Sequence, residues 1–282
     1  MGQHYIPQYY LSGFSDPLKP SNIWVYEKGC NQINMIPIKV VASENKRWPP
    51  ETESYLANNV ENPATPVIKK IRNRELITIN EKHTLACYMI IMAKRVPRGL
   101  ERMKSLAPKV IEDMFNKLQG DILQLIKEYP SKRDALEAKL NELPSLKLQY
   151  ETEFPVDIWY QNLKPDMSPQ LLTILPQMTW IFLTSDRGQP FLTNDNPFFF
   201  DEGLGIGKPE SEITFPISSD LTLWANWNKN LKEGYGHAQE SIIREINRRT
   251  ASNATRYVYY SQNAEWVTSL INKRKWRLNR IE

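Results

Sequence analysis

Only three histidines occur in the 282 residues, and one of them, His4, opens the stretch HYIPQYYLSGF at positions 4–14. It stands directly ahead of an aromatic run that should pack, so its imidazole is expected to be held in place. An imidazole titrates near neutrality, which suits general acid/base work or metal ligation. The competing reading is a satisfied histidine that caps a sheet edge. A second polar cluster is Thr193-Asn194-Asp195-Asn196-Pro197, where a strand-like FLT runs into three Asx side chains and a proline. Asn and Asp fold back onto their own backbone, which alone would make an Asx turn. One turn needs one such residue, however, and this stretch has three. A carboxylate and amides at the end of a strand also suit a metal, a phosphate or a base edge.

Three further residues break apolar patterns. Arg95 shares a helical stripe with Leu85, Tyr88 and Met92. A charge on a face that should be buried needs a partner, either a structural carboxylate or an anion gripped by the planar guanidinium. Asn247 falls at helical spacing between Ile243 and Ala254, where a buried amide must be hydrogen-bonded, either to a neighbouring loop or as part of a site. Glu61 precedes a proline-broken helix and reads as an exposed first-turn acid or as a second metal ligand. No GxGxxG, GxxxxGK[ST], HExxH or GxSxG motif occurs, and no Cys/His group has zinc spacing. DNPF at 195–198 lacks the second proline of the [DN]PP[YF] turn of amino-methyltransferases. The basic run KRKWRLNR at 273–280 reads as a solvated terminal helix that could touch a phosphate backbone.

These residues need elements to hold them. NIWVYEKGCNQINMIPIKVV at 22–41 reads as a hairpin. SYLANNVENPATPVIKKIRN at 54–73 reads as one or two short helices. Residues 80–98 form the clearest helix, with Asn80 as its N-cap and Pro97 ending or kinking it. Residues 99–150 read as charged helices broken at Pro130 and Pro144. Strands follow at 179–186, at 190–200 after a turn at 188–190, and as a pair over 213–227. A helix over 237–254, a strand over 256–261 and a terminal helix over 265–278 complete the chain. The fold class is α+β: one domain over 1–282, with a mixed or antiparallel sheet and a long helical segment at 80–150.

Composition narrows the classes. Charged residues make up 24% and hydrophobic residues 41%, which fits a packed globular chain rather than disorder. The net charge of +4 permits nucleic acid without arguing for it. Two cysteines without a CxxC suit a reducing compartment. With no signal-peptide pattern and no apolar run long enough for a bilayer, the expectation is a cytoplasmic protein without a membrane partner.

HYIPQYYLSGF resembles the HYxP…YLxxF opening of a widespread, mostly bacterial family of unknown function, domain-of-unknown-function family 4238. FLTNDNPFF is similar to that family's second signature, TSDNP. NIWVYEK, AKRVPR and ITFPISSDLTLW are similar to further stretches of it, so the likeness spans most of the chain. Asn194 stands where the family usually has Ser, which removes the hydroxyl that a nucleophile there would supply. The resemblance implies one shared site built from His4 and the Asp195–Pro197 turn, and supplies no activity. The expected site is a pocket in which His4 is the acid/base, Asp195 a carboxylate for orienting or for Mg²⁺ or Mn²⁺ (Glu61 being a second possible ligand), and Arg95 the stabiliser of transition-state charge. Tyr5, Thr193, Asn194, Asn196 and Asn247 would contact substrate. That set suits a hydrolase, a nuclease or nucleotide phosphodiesterase of the kind used as a toxin or phage-defence effector. The alternatives are a nucleotide- or nucleic-acid-binding module without chemistry, and an interaction protein whose polar intrusions are buried networks.

Overall fold

The N-terminal signature forms little regular structure. β1 covers only Gln3–His4, and α1 (Gln8–Leu11) follows Pro7 and buries Tyr10 and Leu11. The description rests on a computed structural model and covers residues 2–153, 156–186, 188, 190–273 and 275–281, with the backbone alone at Met167. The expected hairpin is present as β2 (Asn22–Glu27) and β3 (Ile33–Pro37). Gly29 in its turn has φ +76°, which a residue without Cβ adopts freely. β4 (Ser43–Glu44) returns to pair antiparallel with β1, placing Ser43 opposite His4.

α2 (Pro50–Leu56) and α3 (Asn62–Arg72) are joined by one π-helical turn at Ala57–Glu61. Pro63 and Pro66 have no N–H for the helical ladder, so the ladder is interrupted where the extra residue sits. α4 (Ile79–Arg95) buries most of its length, including Leu85, Tyr88, Met92 and Arg95. Its N-cap is Thr78, not the expected Asn80. Thr78 Oγ1 accepts from the Glu81 N–H at 3.3 Å and the Glu81 carboxylate accepts from the Thr78 N–H at 2.7 Å. This reciprocal box satisfies two helix-end donors, whereas a cap at Asn80 would offer no such return bond.

The chain divides into two compact units, residues 1–98 with 162–282, and residues 99–161. The expected helical segment at 80–150 is therefore split, with α4 in the first unit. The second unit is built from α5 (Pro97–Glu128) beyond its first two residues, α6 (Arg133–Thr152) and most of α7 (Val156–Asn162). Pro130 breaks the helix as expected. Pro144 does not: it lies inside α6, which has no buried residue, so water can take the carbonyl that the ring leaves unbonded. Phe115 of α5 and Tyr150 of α6 meet edge-on at 6.2 Å.

In the first unit, α8 (Pro169–Ile174) leads to β5 (Thr179–Thr184), β6 (Thr193–Asn194), β7 (Phe199–Phe200), β8 (Glu212–Ser218), β9 (Leu221–Asn226) and β10 (Gly234–His237). α9 (Glu240–Asn253), β11 (Tyr257–Tyr260) and α10 (Glu265–Ile271) follow. A five-stranded sheet has the order β10-β5-β9-β8-β7, antiparallel except for the parallel β10–β5 pair. A four-stranded antiparallel sheet has the order β3-β2-β11-β6. The class is α+β with mixed and antiparallel sheets, as the sequence implies.

Three expected boundaries move. Residues 190–200 are not one strand: β6 joins the four-stranded sheet and β7 the five-stranded one, so the Asp195–Phe198 corner is where the chain changes sheets. The helix expected from 237 begins at Glu240, because residues 234–237 extend the larger sheet. The terminal helix stops at Ile271. Beyond it, the Asn279 and Ile281 N–H groups donate to the carboxylates of Glu245 and Glu212, which hold the tail extended in place of a helical ladder. Gln189, in the expected turn at 188–190, and Arg274, in the basic run, lie outside the described residues.

Candidate functional site

The TNDNP corner is buried, and its polar atoms are tied to the junction of α9 and β11. Asp195 is 2% exposed. Its Oδ1 accepts from the Thr255 N–H at 2.7 Å, and its Oδ2 accepts from those of Arg256 at 2.7 Å and Tyr257 at 3.0 Å. Burial pushes this carboxyl up, while the three N–H donors and the Lys28 charge pull it down. Asn194 donates to Thr250 O and accepts from the Asn196 N–H, and Asn196 donates to Asn253 O at 3.1 Å. Tyr10 gives its single O–H to Pro216 O, so the Thr193 hydroxyl is the donor in the 2.7 Å bond between the two. Every side chain from Thr193 to Asn196 thus holds main chain or a buried tyrosine.

His4, Arg95 and Glu61 form a separate group around the N-terminal arm. The Arg95 guanidinium reaches Glu61 Oε1 at 2.6 Å and the carbonyl of His4, and lies 5.2 Å from the Trp48 ring centroid. The π-helical turn ends at Glu61 and presents that carboxylate to α4. The His4 ring donates through Nε2 to Lys39 O at 3.1 Å, which leaves Nδ1 without a hydrogen bond among the described residues. Arg95 therefore meets His4 through its backbone and not its ring. Asp195 and Glu61 are engaged on different partners, and among the described residues no three His, Cys, Asp or Glu side chains converge as a metal cage would require.

Tyr5 is next to this group, with the Arg47 guanidinium 5.1 Å from its ring centroid and bonded to Arg95 O at 2.9 Å. It lines a cavity of about 340 Å³ with Val25, Ala42, Arg256, Tyr257 and Tyr259, over the face of the four-stranded sheet where Tyr259 stands opposite Val25. Burial, and after it the Asp195 charge, push the Tyr5 hydroxyl up to about 12, so it remains a donor at neutral pH. Of the expected set, then, Tyr5 and Asp195 are electrostatic neighbours, whereas His4 does not line this cavity.

Asn247 belongs to a different pocket, of about 360 Å³, between α9 and α10. Its Oδ1 accepts from the Leu192 N–H at 2.9 Å and its Nδ2 donates to Pro190 O at 3.2 Å, which leaves one amide hydrogen uncommitted. Ile243 and Leu270 give the pocket apolar walls, and Tyr260 and Trp266 meet edge-on at 5.5 Å. Trp266 is 45% exposed. Arg244, Arg248 and Lys273 also line it, against a single carboxylate, Glu240. Arg244 pairs with Glu240, and Arg248 with Glu245 at 3.3 Å. The Lys273 ammonium has no ion pair among the described residues. Sequence reasoning reached Asn247 and, within the basic run at 273–280, Lys273; it missed Arg244, Arg248 and the Trp266 indole. The signal was present: arginines four apart at 244 and 248 on the face that carries Asn247, and a tryptophan before the basic run.

A family model described as "Protein of unknown function (DUF4238)" matches residues 2–264. The chain therefore belongs to that family. The match takes in α9 and ends one residue before α10, so Trp266, Leu270 and Lys273 lie beyond it. No curated protein and no solved structure matches the chain.

Proposed function

We propose that this DUF4238 member is a nucleotide-binding protein, and that the pocket between α9 and α10 takes a mononucleotide-sized anion attached to a planar ring. The observation that carries this reading is the convergence of three cations and a half-open indole on one cavity. Its volume is within the range of small-molecule sites. Lys273 has no ion pair among the described residues, and the Arg244–Glu240 pair is exposed on both sides, so exchanging that carboxylate for a phosphate costs little. Trp266 offers a surface for a base, and the spare Asn247 amide hydrogen offers a donor to its edge. The signature residues fit this reading as the framework: the TNDNP corner fixes the start of β11 and the end of α9, and so sets the wall from which Asn247, Arg244 and Arg248 project.

Calorimetric titration with nucleoside monophosphates, nucleosides and inorganic phosphate tests the proposal. The monophosphates are expected to bind more tightly than either fragment. Trp266→Leu and Lys273→Ala should each weaken binding about tenfold, a change of about 1.4 kcal/mol, with melting unchanged. No binding, or binding indifferent to both substitutions, rejects the pocket. If the same protein turned over a nucleotide with Mg²⁺ or Mn²⁺, and lost turnover without loss of melting temperature in His4→Ala and Asp195→Ala, the hydrolase reading would replace this one.

A further inference from the structure

The cavity beside Tyr5 has the composition of a small-molecule site. Its volume of about 340 Å³ falls in the usual range, and Val25, Ile36, Val41 and Ala42 give it apolar walls. Two phenols supply the polar groups. Tyr5 and Tyr259 are 6% and 1% exposed, and their hydroxyls face each other. The contact is too loose for a formed hydrogen bond, and the buried Tyr259 hydroxyl has no other partner among the described residues. Even a closed contact spends only one of the two O–H groups, because each phenol has one proton to give. A buried O–H without an acceptor costs the fold stability. Strain marks the same place: Ala42 holds the left-handed conformation, φ +53°, and its carbonyl accepts from the Tyr5 N–H at 2.9 Å. That conformation is costly for a residue with a Cβ, and here it anchors Tyr5 at the cavity.

The charges around the cavity decide what fits it. Arg256 lines it, pairs with Glu27 at 2.8 Å and lies 4.9 Å from the Tyr257 ring centroid. Arg47 pairs with Glu44 and lies 5.1 Å from the Tyr5 ring centroid. Each cation is matched by a carboxylate, so no positive charge is spare for an anion. The Asp195 charge acts on both hydroxyls and disfavours an anion beside them further. A cation fares no better, because the two guanidiniums already occupy the Tyr5 and Tyr257 rings that would attract it. An uncharged acceptor remains.

We propose that this cavity is a second ligand site, and that it takes a small uncharged carbonyl compound with an apolar body, whose oxygen accepts the unspent proton of the Tyr5–Tyr259 pair. A carbonyl oxygen only accepts, so it matches a surplus donor, whereas an alcohol would bring an O–H that needs an acceptor of its own. The site is independent of the nucleotide pocket. Side chains alternate across β11, so Tyr257 and Tyr259 face this cavity while Tyr260 lines the pocket on the other side of the sheet.

NMR titration of the full chain, labelled with ¹³C in its tyrosine rings, tests it. The probes are acetophenone, ethylbenzene, benzoate and benzyltrimethylammonium, which share a ring and differ in the group attached. Tyr5→Phe and Tyr259→Phe identify the two signals to follow. Acetophenone should shift both, and should bind about tenfold more tightly than each of the other three. The double variant Tyr5→Phe/Tyr259→Phe removes both hydroxyls at constant shape. It should bind acetophenone no better than ethylbenzene, with melting temperature unchanged or raised, since no formed hydrogen bond is lost. The proposal is overturned if neither signal moves with acetophenone up to about 10 mM, or if any other probe binds as tightly. A double variant that keeps the preference overturns it too. So does one that melts lower than wild type, because the hydroxyls would then be holding the fold. None of these outcomes bears on nucleotide binding, which is read separately.

Discussion

At Asp195 one buried carboxylate holds three part-buried backbone N–H groups, so removing it takes away their shared acceptor and the anchor of the α9–β11 junction. Each such loss costs about 1–3 kcal/mol, and Asp195→Ala is expected to destabilise the fold by about 3–5 kcal/mol in urea denaturation. Asp195→Asn keeps one oxygen and turns an amide hydrogen toward the same donors, so it should cost less than the alanine variant but still be measurable. A titration shift supplies a second prediction at this scale. Burial holds the Lys94 ammonium down to about 8 from 10.5. The unfolded chain thus binds the proton more readily between those values, and stability contributed at this residue rises as pH climbs from about 8 to 10.5. Below 8 both states are charged and the whole burial penalty is present. Lys94→Met should flatten that slope, as read from melting temperature against pH, and it also removes the 2.8 Å bond from the ammonium to Asn162 O. The polar residues were legible in the sequence as intruders, because the patterns around them are apolar. Their partners were not, since Asp195 is satisfied by the backbone of residues 255–257, far along the chain.

Among the elements, α4 depends on two attachments. Thr78→Ala removes a reciprocal cap, and its expected cost is about 1 kcal/mol. Arg95→Met strips α4 of its ties to Glu61 and to the carbonyl of His4 and leaves Glu61 without its cation. The expected loss is about 2–4 kcal/mol in chemical denaturation, with Arg95→Lys intermediate because an ammonium cannot reproduce the planar fork. Strands and helices with a clear period of two or 3.6 were readable: the 22–37 hairpin, β5, β8, β9 and α4 all fall where alternation or helical spacing puts them. Elements fixed by distant groups were not. The 190–200 stretch looks like one strand until Asx side chains and Pro197 divert it from one sheet to the other. The C-terminal tail looks helical until Glu212 and Glu245 capture its N–H groups.

For the molecule as a whole, the TNDNP corner and the α9–α10 pocket are separate places. The Thr193–Asn196 side chains bind the chain to itself, whereas the α9–α10 pocket presents cations and an open indole to solvent. The α+β class followed from the order of patterns along the sequence. The pocket did not, because its walls come from two helices whose juxtaposition is set by β11 and the TNDNP corner rather than by local spacing. No described helix is long and apolar enough to cross a membrane.

The most direct test measures melting temperature and nucleoside monophosphate affinity together in wild type, Asp195→Asn and Arg248→Ala. Arg248→Ala should lose about tenfold in affinity at unchanged melting temperature, and Asp195→Asn should lose melting temperature while the fraction still folded keeps wild-type affinity. The opposite pattern, affinity lost in Asp195→Asn at unchanged melting and kept in Arg248→Ala, would place the site at the corner and contradict the account.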